Sequence, residues 1–121
     1  MKKILLAEDD PFVLGVYSNI LRKEGYLVEV ARDGQEAFKK AQDNCPDLLI
    51  LDIMLPKVNG CQLLRAIRQN PVTKNIHTIV ISNLDQKDYP EAISNLGVAK
   101  FLLKIKSAPD EIISAVKEIL N

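Results

Sequence analysis

Leu48-Leu49-Ile50-Leu51 is an unbroken aliphatic run, and a carboxylate, Asp52, follows it directly. The run is short and shows no polar alternation, so it reads as a strand covered on both faces, as in parallel sheets. Four similar runs lie to either side, at Lys3–Ala7, Leu27–Ala31, Thr78–Ser82 and Phe101–Leu103. Within Tyr26-Leu27-Val28-Glu29-Val30 a charge interrupts the apolar pattern, which places that strand at a sheet edge. Between the runs lie amphipathic stretches with apolar residues three and four apart. Val13, Val16, Tyr17, Ile20 and Leu21 form one such stripe, and Ile112, Ile113, Val116, Ile119 and Leu120 another.

Helix starts are legible. Asp10-Pro11 offers a side-chain acceptor at the cap and proline in the first turn. Asp33-Gly34-Gln35-Glu36 and Ser107-Ala108-Pro109-Asp110 have capping-box spacing, and Asp88-Tyr89-Pro90-Glu91 is expected to open a fourth helix. Gly25 and Gly97 stand where helix ends favour a left-handed residue. The pattern is β-α repeated five times, and right-handed crossovers turn it into an open parallel sheet with helices on both faces.

The 121 residues fit one domain, 1–121, with no room for an output module within them, as in a stand-alone unit or one excised from a longer protein. Sixteen basic and sixteen acidic residues cancel, which argues against a nucleic-acid binder that relies on a bulk positive field. The apolar start Ile4-Leu5-Leu6-Ala7 stops at Glu8-Asp9-Asp10, too soon for a secretory signal, and no stretch approaches a membrane span. A cytoplasmic location is therefore expected, with Cys45 and Cys61 reduced and partly buried. His77, the single histidine, lies just before the fourth run and is expected to be structural or solvated.

Open α/β sheets place their sites beyond the carboxyl ends of the strands. Glu8-Asp9-Asp10, Asp52, Ser82-Asn83 and Lys104 occupy those ends here. Two carboxylates about 4 Å apart repel by ~4 kcal/mol at an effective dielectric near 20, so the group calls for protonation or a cation. An all-oxygen set with room for water suits Mg²⁺, with Lys104 as a second positive charge.

These residues resemble the receiver domain of two-component response regulators along the whole chain. Ile4 to Pro11 looks like the family's first strand and acidic pair. Leu51-Asp52-Ile53-Met54-Leu55-Pro56-Lys57-Val58-Asn59-Gly60 looks like its phosphorylation loop. Val80-Ile81-Ser82 and Phe101-Leu102-Leu103-Lys104 resemble its last two strand ends. The resemblance implies a doubly wound (βα)5 three-layer sandwich of the flavodoxin-like class, with a five-stranded parallel sheet in order 2-1-3-4-5. It implies that Asp52 takes a phosphoryl group from a sensor histidine kinase or phosphotransfer protein. Asp9, Asp52 and the Met54 backbone carbonyl would ligate Mg²⁺ (or Mn²⁺), with Glu8 acting through water. Lys104 would pair with Asp52 at rest and with the phosphoryl oxygens afterwards. Ser82 would hydrogen-bond the phosphate, beside Asn83, and Phe101 would change rotamer.

The implied product is a regulatory switch, not an enzyme. Its face of fourth helix, fifth strand and fifth helix changes to control a downstream protein. It is expected as a monomer or weak dimer, with no direct nucleic-acid binding and no membrane insertion. The alternative is a receiver-like interaction module that works without phosphorylation. An aspartyl-phosphate phosphatase would carry an acid where Met54 stands, and a flavin protein would not place Glu8-Asp9-Asp10 against a phosphate. The chain departs from the family pattern at several places. Ile105 follows Lys104 where proline is usual, and a trans bond is expected because cis before Ile costs about 2.5–4 kcal/mol. Asn83 replaces a small residue, Phe101 lacks the common tyrosine hydroxyl, and Ala99-Lys100 replaces an acidic pair used in dimerisation. Met54 and Leu84 are expected to flank the site with apolar side chains and slow an attacking water.

Overall fold

The computed structural model describes residues 1–83, 93, 95–104 and 109–121. Five strands, β1 (Lys3–Ala7), β2 (Leu27–Ala31), β3 (Leu48–Asp52), β4 (His77–Ser82) and β5 (Lys100–Leu103), form one sheet in the order β2-β1-β3-β4-β5. Every pairing is parallel. Four helices are described: α1 (Pro11–Lys23), α2 (Gly34–Asn44), α3 (Gly60–Gln69) and α4 (Pro109–Leu120). The expected helix from Asp88 and the cap at Ser107 lie outside the described residues.

Side-chain alternation along the strands divides the core in two. Leu5, Ala7, Leu49, Leu51 and Val80 point to a cluster completed by Ala37 and Ala41 of α2 and Leu63, Leu64 and Ile67 of α3. Ile4, Leu6, Leu48, Ile50, Ile79 and Ile81 point the other way, to Leu14, Tyr17 and Leu21 of α1 and Ile112, Ala115 and Val116 of α4. This is the doubly wound, three-layer flavodoxin-like architecture. The central strand β3 is buried along its whole length, as its uninterrupted aliphatic run requires.

β2 is an edge strand, alternating exposed and half-buried positions up to Ala31. Its outward carbonyls are covered from both sides of the sheet. Arg22 of α1 donates to Val28 O at 3.0 Å, and Lys40 of α2 donates to Val30 O at 2.6 Å. Basic side chains on an edge hinder the addition of another chain.

α1 begins as expected, with Asp10 accepting from Phe12 N–H at 2.9 Å ahead of Pro11. It ends in a Schellman turn. Gly25, at φ 94°, donates to Arg22 O, and Tyr26 N–H reaches Leu21 O. Asp33 caps α2 through Glu36 N–H at 2.9 Å, but Glu36 returns to Arg32 N–H and to Lys40 instead of closing the box. The full reciprocal box is at α3, where Asn59 accepts from Gln62 N–H at 2.9 Å and Gln62 accepts from Asn59 N–H at 3.2 Å. Cys61 is half-buried, as expected, and Cys45 is exposed because it takes the left-handed position (φ 42°) that ends α2. His77 is the exposed first residue of β4, not a residue before it. Asn59→Ala should lower stability by about 1 kcal/mol, read as a reduced urea midpoint with an unchanged slope.

Candidate functional site

The parallel register brings the carboxyl ends of four strands level. Ala7 pairs with Leu51, Asp52 with Ile81, and Ser82 with Leu103. Two further ladder bonds carry the frame one residue past the strands. Glu8 N–H donates to Ala31 O at 3.0 Å, and Lys104 N–H donates to Ser82 O at 3.0 Å. Glu8, Asp52 and Lys104 therefore start from backbone positions fixed by the sheet.

Their side chains meet. The Lys104 ammonium lies 2.7 Å from Asp52 Oδ2 and 2.7 Å from Glu8, and donates to both. Asp52 Oδ1 accepts from Met54 N–H at 3.0 Å, and Glu8 Oε1 accepts from Asp10 N–H at 3.1 Å. Glu8 is fully buried, Asp52 and Lys104 nearly so, and Asp9 is exposed at the mouth. One carboxylate oxygen from each of Glu8, Asp9 and Asp52 lies within 4.8 Å of the others.

Three carboxylates and one ammonium leave the cluster short of positive charge. Burial pushes the Glu8 carboxyl above its ordinary range, Asp52 adds to this, and Lys104 and the Asp10 N–H pull it back. Burial draws Lys104 down, but its bonds to Asp52 and Glu8 outweigh that and hold it above the usual lysine value. Burial also lifts Tyr17, which sits beneath the cluster on α1. Glu8 Oε2 is buried without a hydrogen bond, although the ammonium is 2.7 Å away as an ion-pair partner. An orphaned carboxylate oxygen beside two further carboxylates is a donor set that a hard divalent cation fits.

The loop after Asp52 is held by close backbone approaches. Gly60 N–H bonds Ile53 O at 2.8 Å, and a Cβ on Gly60 would strike Ile53 Cα and lie 2.6 Å from Asp52 O. A Cβ on Gly34 would overlap the Val58 carbonyl oxygen, and Gly34 N–H reaches Pro56 O at 3.3 Å. Lys57, left-handed at φ 65°, pairs with Asp33 at 3.3 Å. These glycines are required by space.

A match to the response regulator receiver domain covers residues 4–117. The chain belongs to this family. Among the receiver domain's relatives is the alkaline phosphatase synthesis transcriptional regulatory protein PhoP of Bacillus subtilis, 34% identical over 121 residues, covering 99% of this chain and 49% of that protein. The phosphate regulon transcriptional regulatory protein PhoB of Rhizobium meliloti is 34% identical, covering 100% of this chain and 53% of that protein. The receiver domain thus spans about half the length of both. Chemotaxis response regulator CheY4 of Vibrio cholerae superposes with a TM-score of 0.90 at 26% identity, over 99% of each chain.

Of the residues singled out from sequence, Glu8, Asp9, Asp52 and Lys104 come together. Ser82 is fully buried at the end of β4, and Asn83 beside it is exposed. Phe101 is half-buried on β5 and packs against the cluster containing Val80 and Ile93. Met54 is 60% exposed, while its N–H anchors Asp52. Leu84 and Ile105 lie outside the described residues. The direct bond from Lys104 to Glu8 was not foreseen, because 96 residues separate the two and only the strand order brings them together. The roles of Gly34 and Gly60 were also missed, since a spatial need leaves no local signal.

Lys104→Met leaves the buried Glu8 carboxylate without its cation. A carboxyl raised in the folded state costs stability as pH rises from its unfolded value, about 4.3, through its folded one. In metal-free buffer the variant should be less stable than the parent by ~3–5 kcal/mol at neutral pH. The gap should close toward pH 4, as read by denaturant melts across that range.

Proposed function

We propose that Asp52 is the phosphoryl acceptor of this receiver domain. The domain is a regulatory unit of two-component response regulators, a family in which phosphorylation-dependent switching is typical. The observation that carries the assignment is the Asp52 carboxylate, fixed at one oxygen by Lys104 and at the other by Met54 N–H, within reach of Glu8 and Asp9. Phosphoryl transfer needs alignment and charge neutralisation more than covalent help. The pocket aligns Asp52, and Lys104 together with a bound divalent cation would supply the neutralisation.

The donor is a phosphohistidine of a sensor kinase or phosphotransfer protein. An Asp52 carboxylate oxygen forms the new O–P bond as the N–P bond breaks, and the imidazole nitrogen leaves with the bonding pair. The carboxylates of Asp9 and Asp52, the Met54 carbonyl and Glu8 would hold Mg²⁺, with Mn²⁺ as a substitute. When bound, the ion neutralises charge on the transferring group. Lys104 already touches Asp52 and moves its donor to a phosphoryl oxygen. Ser82, buried at the end of β4, would hydrogen-bond the same group through its hydroxyl. Asn83, exposed next to Ser82, would serve as an accessory donor.

The new charge, almost two negative units, therefore pulls on the ends of β4 and β5 together. Phe101, half-buried on β5 and packed against the buried cluster that contains Val80, would pass that movement to the surface of β5 and its flanking helices. The output is recognition by a downstream protein partner. The reading keeps residues 1–121 as a single domain, monomeric or weakly dimeric, cytoplasmic and without direct contact to nucleic acid. No helix among the described residues is long and apolar enough to cross a membrane.

Incubation with acetyl phosphate and Mg²⁺ should add one phosphoryl group by intact mass, and Asp52→Asn should add none. Chelation of the metal or Asp9→Asn should slow the gain roughly tenfold or more. A wild type that gains nothing and is unmoved by beryllofluoride would favour the interaction module that signals without phosphorylation. Met54→Gln should hasten loss of the phosphoryl group once made; an unchanged lifetime removes Met54 as a water barrier.

A further inference from the structure

At the opposite end of β4, some 17 Å from Ser82 for a six-residue strand, a shallow cavity of about 380 Å³ opens between the end of α3 and the segment that feeds β5. Arg68, Lys74, Asn75, His77, Asn95 and Gly97 line it, with no acidic side chain among the described residues. In a chain with equal numbers of acids and bases this is a local segregation of charge. None of Arg68, Lys74 or His77 takes part in an ion pair among the described residues.

Arg68 is rigidly built. Its Nε donates to Leu96 O at 2.6 Å, Nη1 to Ile76 O at 2.7 Å and Lys74 O at 3.1 Å, and Nη2 to Thr78 Oγ1 at 3.0 Å and Gly97 O at 3.3 Å. All five N–H groups meet neutral acceptors, so the positive charge is fixed at the cavity without a counter-ion among the described residues. Burial draws the guanidinium below its ordinary value, which leaves it charged at any physiological pH. Lys74, Asn75, His77 and Asn95 are exposed at the rim and bring donors over that charge.

We propose that this cavity binds a small multivalent oxyanion, a polyphosphate or polycarboxylate, with Arg68 supplying the fixed field and Lys74, His77 and the two asparagines the hydrogen bonds. The site is separate from Asp52 and does not depend on its phosphorylation. A single open site of this kind should bind with a dissociation constant on the order of a millimolar.

The test is a titration with inorganic pyrophosphate, and in parallel with citrate, without divalent cations. It is followed by the ring protons of His77, the only histidine, and by the amides of residues 74–77 and 95–97. A saturable shift confined to those signals is expected, preserved in Asp52→Asn and weakened at least roughly tenfold in the surface variants Lys74→Glu and His77→Ala. Saturation by pyrophosphate alone would assign the site to phosphates, and by citrate alone to carboxylates. Shifts that do not saturate, that spread over the surface lysines or that vanish in Asp52→Asn would overturn the proposal.

Discussion

One ammonium between two buried carboxylates governs this molecule's functional edge. Lys104 is the only cation that the described structure sets against Glu8 and Asp52, and both bonds are 2.7 Å long. Neither carboxylate is tolerable there alone, because the interior solvates charge poorly. Nor does the lysine neutralise the group, since Asp9 completes a set of three acids. The cluster is therefore held together and left incomplete, a state that favours any incoming positive charge and any group able to share the lysine.

Holding such a cluster requires a frame that does not yield. Parallel ladders fix the backbone of all four strand ends, and two extra bonds extend them to Glu8 and Lys104. The loop from Ile53 to Asn59 is then pressed onto the tops of α2 and α3 where Gly34 and Gly60 leave no room for a side chain. The Asn59–Gln62 box begins α3 directly below. Two opposed hydrophobic layers lock the sheet on which all this rests.

The architecture was legible because four of the five strands are short apolar runs that end in chemistry, while the second, broken by Glu29, marks the sheet edge. β1 and β2 matched their runs residue for residue, whereas β3, β4 and β5 gained Asp52, His77 and Lys100 at their ends. Those residues are polar, and they extend the strands because a neighbour in register bonds them: Asp52 faces Ile81, His77 faces Leu48, and Lys100 faces Ile79. Hydropathy cannot report that. Asp52, Asp9 and Lys104 could be placed at the site from strand order, but the Glu8–Lys104 bond depends on side-chain reach across the sheet. Arg68 carried no signal at all, since four of its five acceptors are backbone carbonyls, which residue types do not report, and the fifth is the Thr78 hydroxyl.

Strand β4 links the two polar ends of the molecule. Its carboxyl end carries Ser82, whose carbonyl holds the Lys104 backbone, and its amino end is gripped by Arg68 through Ile76 and Thr78. The same guanidinium grips Leu96 and Gly97, which lead into β5 and hence to Lys104. β4 and β5 are thus tied at both ends, by a ladder bond beside the acids and by Arg68 at the base. A displacement of Ser82 or Lys104 cannot be absorbed by sliding one strand along the other without breaking bonds at the far end. The two strand ends that carry Ser82 and Lys104 are therefore coupled through the sheet to the far end of β4 and β5, where Arg68 pins them.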